Sequence, residues 1–244
     1  MPSKATPSAR RRDTMRSTTI EPVASAAAGS VIITQGRTRV LCTASISTKT
    51  PPWLNDPETG EPTRGWVTAE YAMMPGSTPE RQRRGPTSRG TEIQRLIGRS
   101  LRAAVDLEKM PGLAITCDCD VLVADGGTRT ASITGAWVAL AHALAHAREA
   151  GLITASPLLG PVAAVSVGVV RGQIHLDLDY DLDSTADVDM NVVMNHQDRY
   201  VELQGTGEAG TFDADELAGM LELARRGIRK LMTAQRAAIR GKSQ

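Results

Sequence analysis

Residues 125–132 read Asp-Gly-Gly-Thr-Arg-Thr-Ala-Ser, and they gather the residue types of an anion site into one short run. Paired glycines let backbone come close to a ligand. The free N–H groups at the start of a helix attract negative charge, and the helix dipole adds to that attraction. Thr128 and Ser132 bring hydroxyls, and Arg129 brings a fork that grips a phosphate through two hydrogen bonds. The same run also suits a plain strand-to-helix turn with a solvated Arg, and taken alone it leaves both readings open.

A second run, His175 to Asn191, is acidic. Asp177, Asp179, Asp181 and Asp183 alternate with other residues, so an extended strand would carry them on one face. Like charges there cost stability unless water, Arg or a divalent ion offsets them. Asp183 and Asp189 follow the expected strand end and precede the next apolar run. Carboxylates so placed suit Mg2+, which keeps several waters and takes one or two protein carboxylates plus substrate phosphates. They also suit proton donation to a leaving oxygen; a solvated acidic turn is the plainer alternative. A basic loop, Arg81 to Arg89, can guide a polyanion to both places. The combination fits phosphoryl transfer on nucleic acid, and phosphate as the nucleophile would make it phosphorolysis.

The elements that must position these groups follow from hydrophobic periodicity. Ser30–Thr34 and Arg37–Ser45 are expected as strands around the turn Gln35-Gly36, and Trp66–Met74 as a short strand. Lys49–Arg64 and Pro75–Ser88 read as loops. Thr91 is expected to cap a helix over Glu92–Leu107, with Ile93, Leu96, Ile97, Leu101 and Val105 on its apolar face. Arg95, Arg99 and Arg102 form another face, expected to be solvated. A strand at 114–123 leads through the glycine turn to an Ala-rich helix over about 130–150. Val162–Val170, Ile174–Tyr180, Met190–Met194 and Tyr200–Gln204 read as strands of one antiparallel or mixed sheet. Asp213 and Glu216 form a capping box for a final amphipathic helix. The expected fold class is α+β, a mixed or antiparallel sheet with packed helices, as one domain over 16–240 behind a flexible N-terminal arm at 1–15.

Composition narrows the function classes. The 244 residues carry a net charge of +1, so there is no global basic field, and only 3% are aromatic, so a stacking platform for nucleic acid is not expected. Cys42, Cys117 and Cys119 make no disulfide framework or zinc spacing and read as reduced core residues. His142 and His146 stand four apart on a helix without the Glu of the zinc protease motif. No apolar run reaches membrane-spanning length.

Several blocks, in order, resemble the ribonuclease PH family: Gly65-Trp-Val-Thr-Ala-Glu-Tyr71, Glu92-Ile-Gln-Arg-Leu-Ile-Gly-Arg99, Asp118-Cys-Asp-Val121, the run from Ala124 to Ala136, Ser166-Val-Gly168, Leu176-Asp-Leu-Asp-Tyr180, Asp189-Met-Asn-Val-Val-Met194 and Val201-Glu-Leu-Gln-Gly-Thr206. Together they span about residues 15–235. The resemblance implies a cytoplasmic, phosphate-dependent 3′→5′ exoribonuclease that trims transfer RNA precursors and releases nucleoside diphosphates, assembled as a homo-hexamer built from dimers. It implies Arg89, Gly127, Thr128 and Arg129 as ligands of inorganic phosphate, Asp183 and Asp189 as catalytic or Mg2+-binding acids, and Arg81 and Arg84 as RNA-guiding residues. A non-catalytic, RNA-binding ring subunit is the alternative, since exosome rings contain inactive relatives. The chain departs from the family pattern at Gly76, Pro79, Gly90, Leu182 and Gly207, at Ser8-Ala9 and in a shortened basic loop. The loop changes bear on transfer RNA affinity.

Overall fold

A computed structural model describes residues 10–241. Strands β1 (Thr18–Pro22), β2 (Gly29–Gln35), β3 (Thr38–Ser47), β4 (Trp66–Met73) and β5 (Ala114–Val123) form a five-stranded sheet in the order β1-β2-β3-β5-β4. Only β4 and β5 run parallel in it. Helix α1 (Ser88–Arg102) connects those two strands and packs on β4. Helix α2 (Thr128–Glu149) follows β5 and lies against β2 and β3.

The second sheet is antiparallel, in the order β7-β6-β8-β9, from β6 (Val162–Val170), β7 (Gln173–Leu176), β8 (Val188–Asn195) and β9 (Tyr200–Gly207). A short helix α3 (Tyr180–Asp183) sits between β7 and β8, and the C-terminal α4 (Ala214–Arg240) covers β6, β7 and β8. The expected α+β class is what forms.

Helix α2 ties the two sheets together. It touches β6 of the second sheet as well as β2 and β3 of the first, and it is buried on nearly every side from Thr130 to Leu144. That is why its sequence is Ala-rich rather than amphipathic. Small residues let the sheets approach: a side chain at Gly135 would stand 2.8 Å from Cys42 Sγ. Gln235 of α4 completes the join, donating to the carbonyls of Thr134 (2.9 Å) and Val162 (2.8 Å).

Several expected boundaries move. Thr87, not Thr91, caps α1, accepting from the Gly90 N–H at 2.9 Å. The helix therefore starts at Ser88 and carries Arg89 in its first turn; Gly90, a weak helix former, masks that start in the sequence. It ends at Arg102 rather than Leu107. The arginine face of α1 is not simply solvated, since Arg102 lies 4.5 Å from the Trp66 ring centroid and donates to the Val67 carbonyl, and Arg99 pairs with Glu202. The expected capping box at Asp213 and Glu216 forms.

The expected flexible arm lies partly outside the described residues, at 1–9. From Arg10 onward the segment is anchored: Arg10 and Arg16 both reach Asp177. The acidic run is also not one extended strand. Strand β7 stops at Leu176, because Asp177 adopts a left-handed conformation with φ of 59°. Asp179 then caps α3, accepting from the Leu182 N–H, and Asp181 and Asp183 fall inside that helix. The four carboxylates therefore never share a strand face.

Candidate active site

The glycine turn sets the site. Gly126 and Gly127 have φ of 70° and 67°, a left-handed conformation that disfavours any side chain. At Gly126 a Cβ would also stand 2.6 Å from the Asp179 carbonyl carbon and 2.7 Å from the Leu178 oxygen. The turn is thus pressed against the segment that leads into α3. Thr38 secures it from the other side, donating to the Gly126 carbonyl at 2.7 Å and accepting from the Asp125 N–H at 3.0 Å. Arg37 grips the Asp125 carboxylate with two hydrogen bonds of 3.0 and 2.8 Å.

Helix α2 begins at Thr128, with Gly127 as its N-cap and no side chain capping its first turn. The Thr128 hydroxyl shares a 2.9 Å hydrogen bond with the hydroxyl of buried Tyr71, on β4. Arg129 is held at Nη1 alone, which donates to Gln204 Oε1 at 2.5 Å and lies 3.4 Å from Glu92 Oε1. Its Nε and Nη2 have no protein partner among the described residues. Arg89 is exposed in the first turn of α1 and makes no ion pair among the described residues. Ser132, whose hydroxyl was a candidate ligand, is buried and donates to the Thr128 carbonyl at 2.8 Å instead.

Opposite these donors stand the acids. Asp183 ends α3. Asp189 lies within β8, between Gly168 of β6 and Thr206 of β9, not in the approach to the strand as its position before an apolar run suggested. Burial raises both carboxyls above their ordinary range, and Asp189 reaches about 6 because the Asp183 charge adds to its burial. The charges of Arg89 and Arg129 pull both acids the other way. That mutual influence brings Arg89, Arg129, Asp183 and Asp189 into one electrostatic neighbourhood. Asp189 Oδ1 is buried with no hydrogen-bond partner among the described residues.

Arg81 and Arg84 are exposed on the loop that leads into α1. They are open to solvent at the approach to Arg89 but touch none of the other candidate residues. A separate cavity of about 910 Å³ opens beside the glycine turn, lined by Arg10, Arg16, Arg37, Asp125 and Asp179 among others; Arg89, Thr128, Arg129, Asp183 and Asp189 do not line it. Tyr71, Glu92 and Gln204 were not singled out from the sequence, although all three fall inside the motif blocks.

The fold and this neighbourhood define a class. Residues 14–145 match the 3′ exoribonuclease family, domain 1, and residues 160–227 match its domain 2. The chain belongs to this family, and to its ribonuclease PH branch. It is 56% identical to ribonuclease PH of Corynebacterium diphtheriae over 217 residues, covering 87% of this chain and 88% of that one. To ribonuclease PH of Corynebacterium glutamicum (strain R) it is 53% identical over 236 residues, 94% of each. Among solved structures, its fold is similar to the Archaeoglobus fulgidus exosome with RNA bound to the active site, with a TM-score of 0.74 at 24% identity over 91% of this chain and 89% of that one. It is likewise similar to rice (Oryza sativa) Rrp46, with a TM-score of 0.73 at 18% identity over 95% of this chain and 98% of that one. Among the described residues no helix is long and apolar enough to cross a membrane.

Proposed function

We propose that this chain is a phosphorolytic 3′→5′ exoribonuclease, with residues 16–240 acting as one unit. The observation that carries the reading is the half-open guanidinium of Arg129, whose Nε and Nη2 have no partner among the described residues, while Arg89 and the uncapped start of α2 stand near the same acids. An orthophosphate takes two parallel hydrogen bonds from such an edge. Gly127 and Thr128 offer backbone N–H groups to the same anion.

Held there, a phosphate oxygen attacks the phosphorus of the last phosphodiester at an RNA 3′ end. The bond from phosphorus to the 3′-oxygen breaks, and that oxygen leaves with a proton on the shortened RNA. The product is a nucleoside diphosphate whose outer phosphate was the attacking ion. Arg89 and Arg129 offset the charge gathering on the phosphoryl oxygens. Asp189, raised to about 6, is suited to hold the proton the leaving oxygen needs.

The orphaned Oδ1 of Asp189 beside the Asp183 charge also fits a divalent cation. In that alternative Asp183 and Asp189, both ionised, would hold Mg2+, completed by water and RNA phosphates; the ion would neutralise charge where they face the RNA, and Asp189 would not carry the proton. Among the described residues there is no cluster of three or more His, Cys, Asp or Glu side chains that would hold a metal without such help.

We further propose transfer RNA precursors as the substrate, Arg81 and Arg84 as guides for the RNA backbone, and a homo-hexameric ring as the assembly. The test is incubation with a 3′-extended transfer RNA, with and without phosphate, with product identification. Phosphate-dependent release of nucleoside diphosphates is expected. Nucleoside monophosphates, or cleavage without phosphate, would refute phosphorolysis. RNA binding without turnover would point to the non-catalytic ring subunit.

A further inference from the structure

We infer that Glu92 and Gln204 are positioning residues that set the affinity for phosphate by fixing Arg129 from behind. The inference rests on the reading that Arg129 binds the attacking phosphate. It adds what decides where that guanidinium points.

The three side chains close a small ring of contacts. Arg129 Nη1 donates to Gln204 Oε1 at 2.5 Å and stands 3.4 Å from Glu92 Oε1, while Gln204 Nε2 donates to the same Glu92 oxygen at 3.0 Å. Each member comes from a different element. Glu92 lies three residues after Arg89 on α1, so the two share a helix face. Arg129 is in the first turn of α2. Gln204 pairs with Asn191 across β8 and β9, just as Thr206 pairs with Asp189. Residues opposite one another, and two apart along a strand, share a sheet face. Gln204 therefore rises on the same face as Asp189.

The ring thus joins the helix bearing Arg89, the helix bearing Arg129 and the strand beside the acid. A free Arg gives up several rotamers when it closes on an oxyanion, and a tethered one has already given them up. The contacts also consume Nη1 and leave Nε and Nη2, the edge that matches two phosphate oxygens. Gln204 has both functions this needs, an acceptor for Arg129 and a donor that orients Glu92. Because the phosphate becomes the outer phosphate of the nucleoside diphosphate, the same tether acts on the reverse reaction.

The test is steady-state kinetics on the full-length chain, varying phosphate and RNA separately, for Arg129→Ala, Gln204→Ala, Glu92→Ala and Glu92→Gln. Gln204→Ala and Glu92→Ala are expected to raise KM for phosphate, and for the nucleoside diphosphate in reverse, roughly three- to tenfold. Changes in kcat and in KM for RNA should stay within about twofold. Glu92→Gln keeps the accepting Oε1 and should recover most of the lost affinity; a role resting on charge alone would make it behave like Glu92→Ala. Unchanged KM for phosphate in both alanine variants, or a fall confined to kcat, overturns the inference. If Arg129→Ala itself leaves KM for phosphate unmoved, the phosphate reading of Arg129 fails first. Thermal melts accompany the kinetics, and should Gln204→Ala not fold, the exposed Glu92 pair decides the matter.

Discussion

Arg16 lays its guanidinium across the carboxylate of Asp177, with Nη2 2.6 Å from Oδ1 and Nε 3.1 Å from each oxygen, and both side chains are buried. The Arg16 backbone N–H adds a bond of 2.7 Å to Oδ2, and Gln35 donates to Oδ1 at 2.8 Å. The other end of the guanidinium, Nη1, reaches the Asp125 carbonyl at 2.5 Å. One side chain thus ties the start of the glycine turn to the residue that ends β7, and through it to α3 and Asp183. A buried charge that loses its partner is expensive because the remaining ion stays desolvated.

Asp177→Ala takes from buried Arg16 its close counter-charge, leaving only the longer contact to Asp125 at 3.9 Å, and leaves Arg10 only Asp179 at 3.8 Å. Chemical denaturation should show a loss of about 3–5 kcal/mol relative to the parent chain. A loss under about 1 kcal/mol would mean that water or another carboxylate takes over and that the knot does not organise the site.

Asp189 predicts an unusual pH dependence. Its folded-state pKa of about 6 lies above the value near 3.9 expected in an unfolded chain. Between about pH 4 and pH 6 the unfolded chain has already released this proton while the folded one keeps it, so this group's contribution to stability falls as pH rises through that window and then levels off. Asp189→Asn removes the penalty. It should melt higher than the parent at pH 8, by an amount worth about 1–2 kcal/mol, with the gain fading toward pH 4. The same variant should lose turnover by roughly a hundredfold or more if the carboxyl serves the leaving oxygen. Equal melting of the two proteins at pH 8 would show that Asp189 is not strained by its burial.

The glycine turn and the start of α2 were legible because they are contiguous: Gly126, Gly127, Thr128 and Arg129 are neighbours in sequence and stay neighbours in space, whereas Arg89 comes from a different helix. The second half was misread. An alternation of Asp and apolar residues looks like a strand, and the left-handed backbone of Asp177 that ends it leaves no mark in the residue pattern. Asp189 was placed ahead of its strand because a carboxylate interrupts an apolar run, even though β8 carries it inside. Tyr71, Glu92 and Gln204 were missed as site residues for a different reason. Each is defined by a partner far away in the chain, and only the packing of α1 and the second sheet against the start of α2 brings them together.

Gly126 can be tested by adding a single methyl group. Gly126→Ala forces φ of 70° on a residue with a Cβ and drives that atom to 2.6–2.8 Å from the backbone at Leu178, Asp179 and Tyr180. Neither side of this contact is a flexible chain end. The expected cost is about 2–4 kcal/mol, from left-handed strain plus overpacking. Gly76→Ala is the matched control: nothing lies within 4 Å of its Cβ position, and its stability should change by less than about 0.5 kcal/mol. Similar melting temperatures for the two variants would show that the turn is free to move away from α3.

Tyr71 offers the last test, through the hydroxyl it shares with Thr128 at 2.9 Å. Burial raises the Tyr71 pKa while the Thr128 hydrogen bond and the charges of Arg89 and Arg129 pull it down, so the phenol keeps its proton at neutral pH and can donate. If Tyr71 donates to Thr128 Oγ1, the Thr128 O–H is left to point outward, toward the anion held at the start of α2. Tyr71→Phe then costs about 1 kcal/mol of stability through the lost bond and raises KM for phosphate about three- to tenfold. Thr128→Val should do the same or more. Since both act through one hydroxyl, the double variant should be little worse than Thr128→Val alone, leaving a coupling energy of about 1 kcal/mol in a double-mutant cycle. Strict additivity of the two effects on KM would mean that Tyr71 merely fills space beneath the helix and does not aim Thr128.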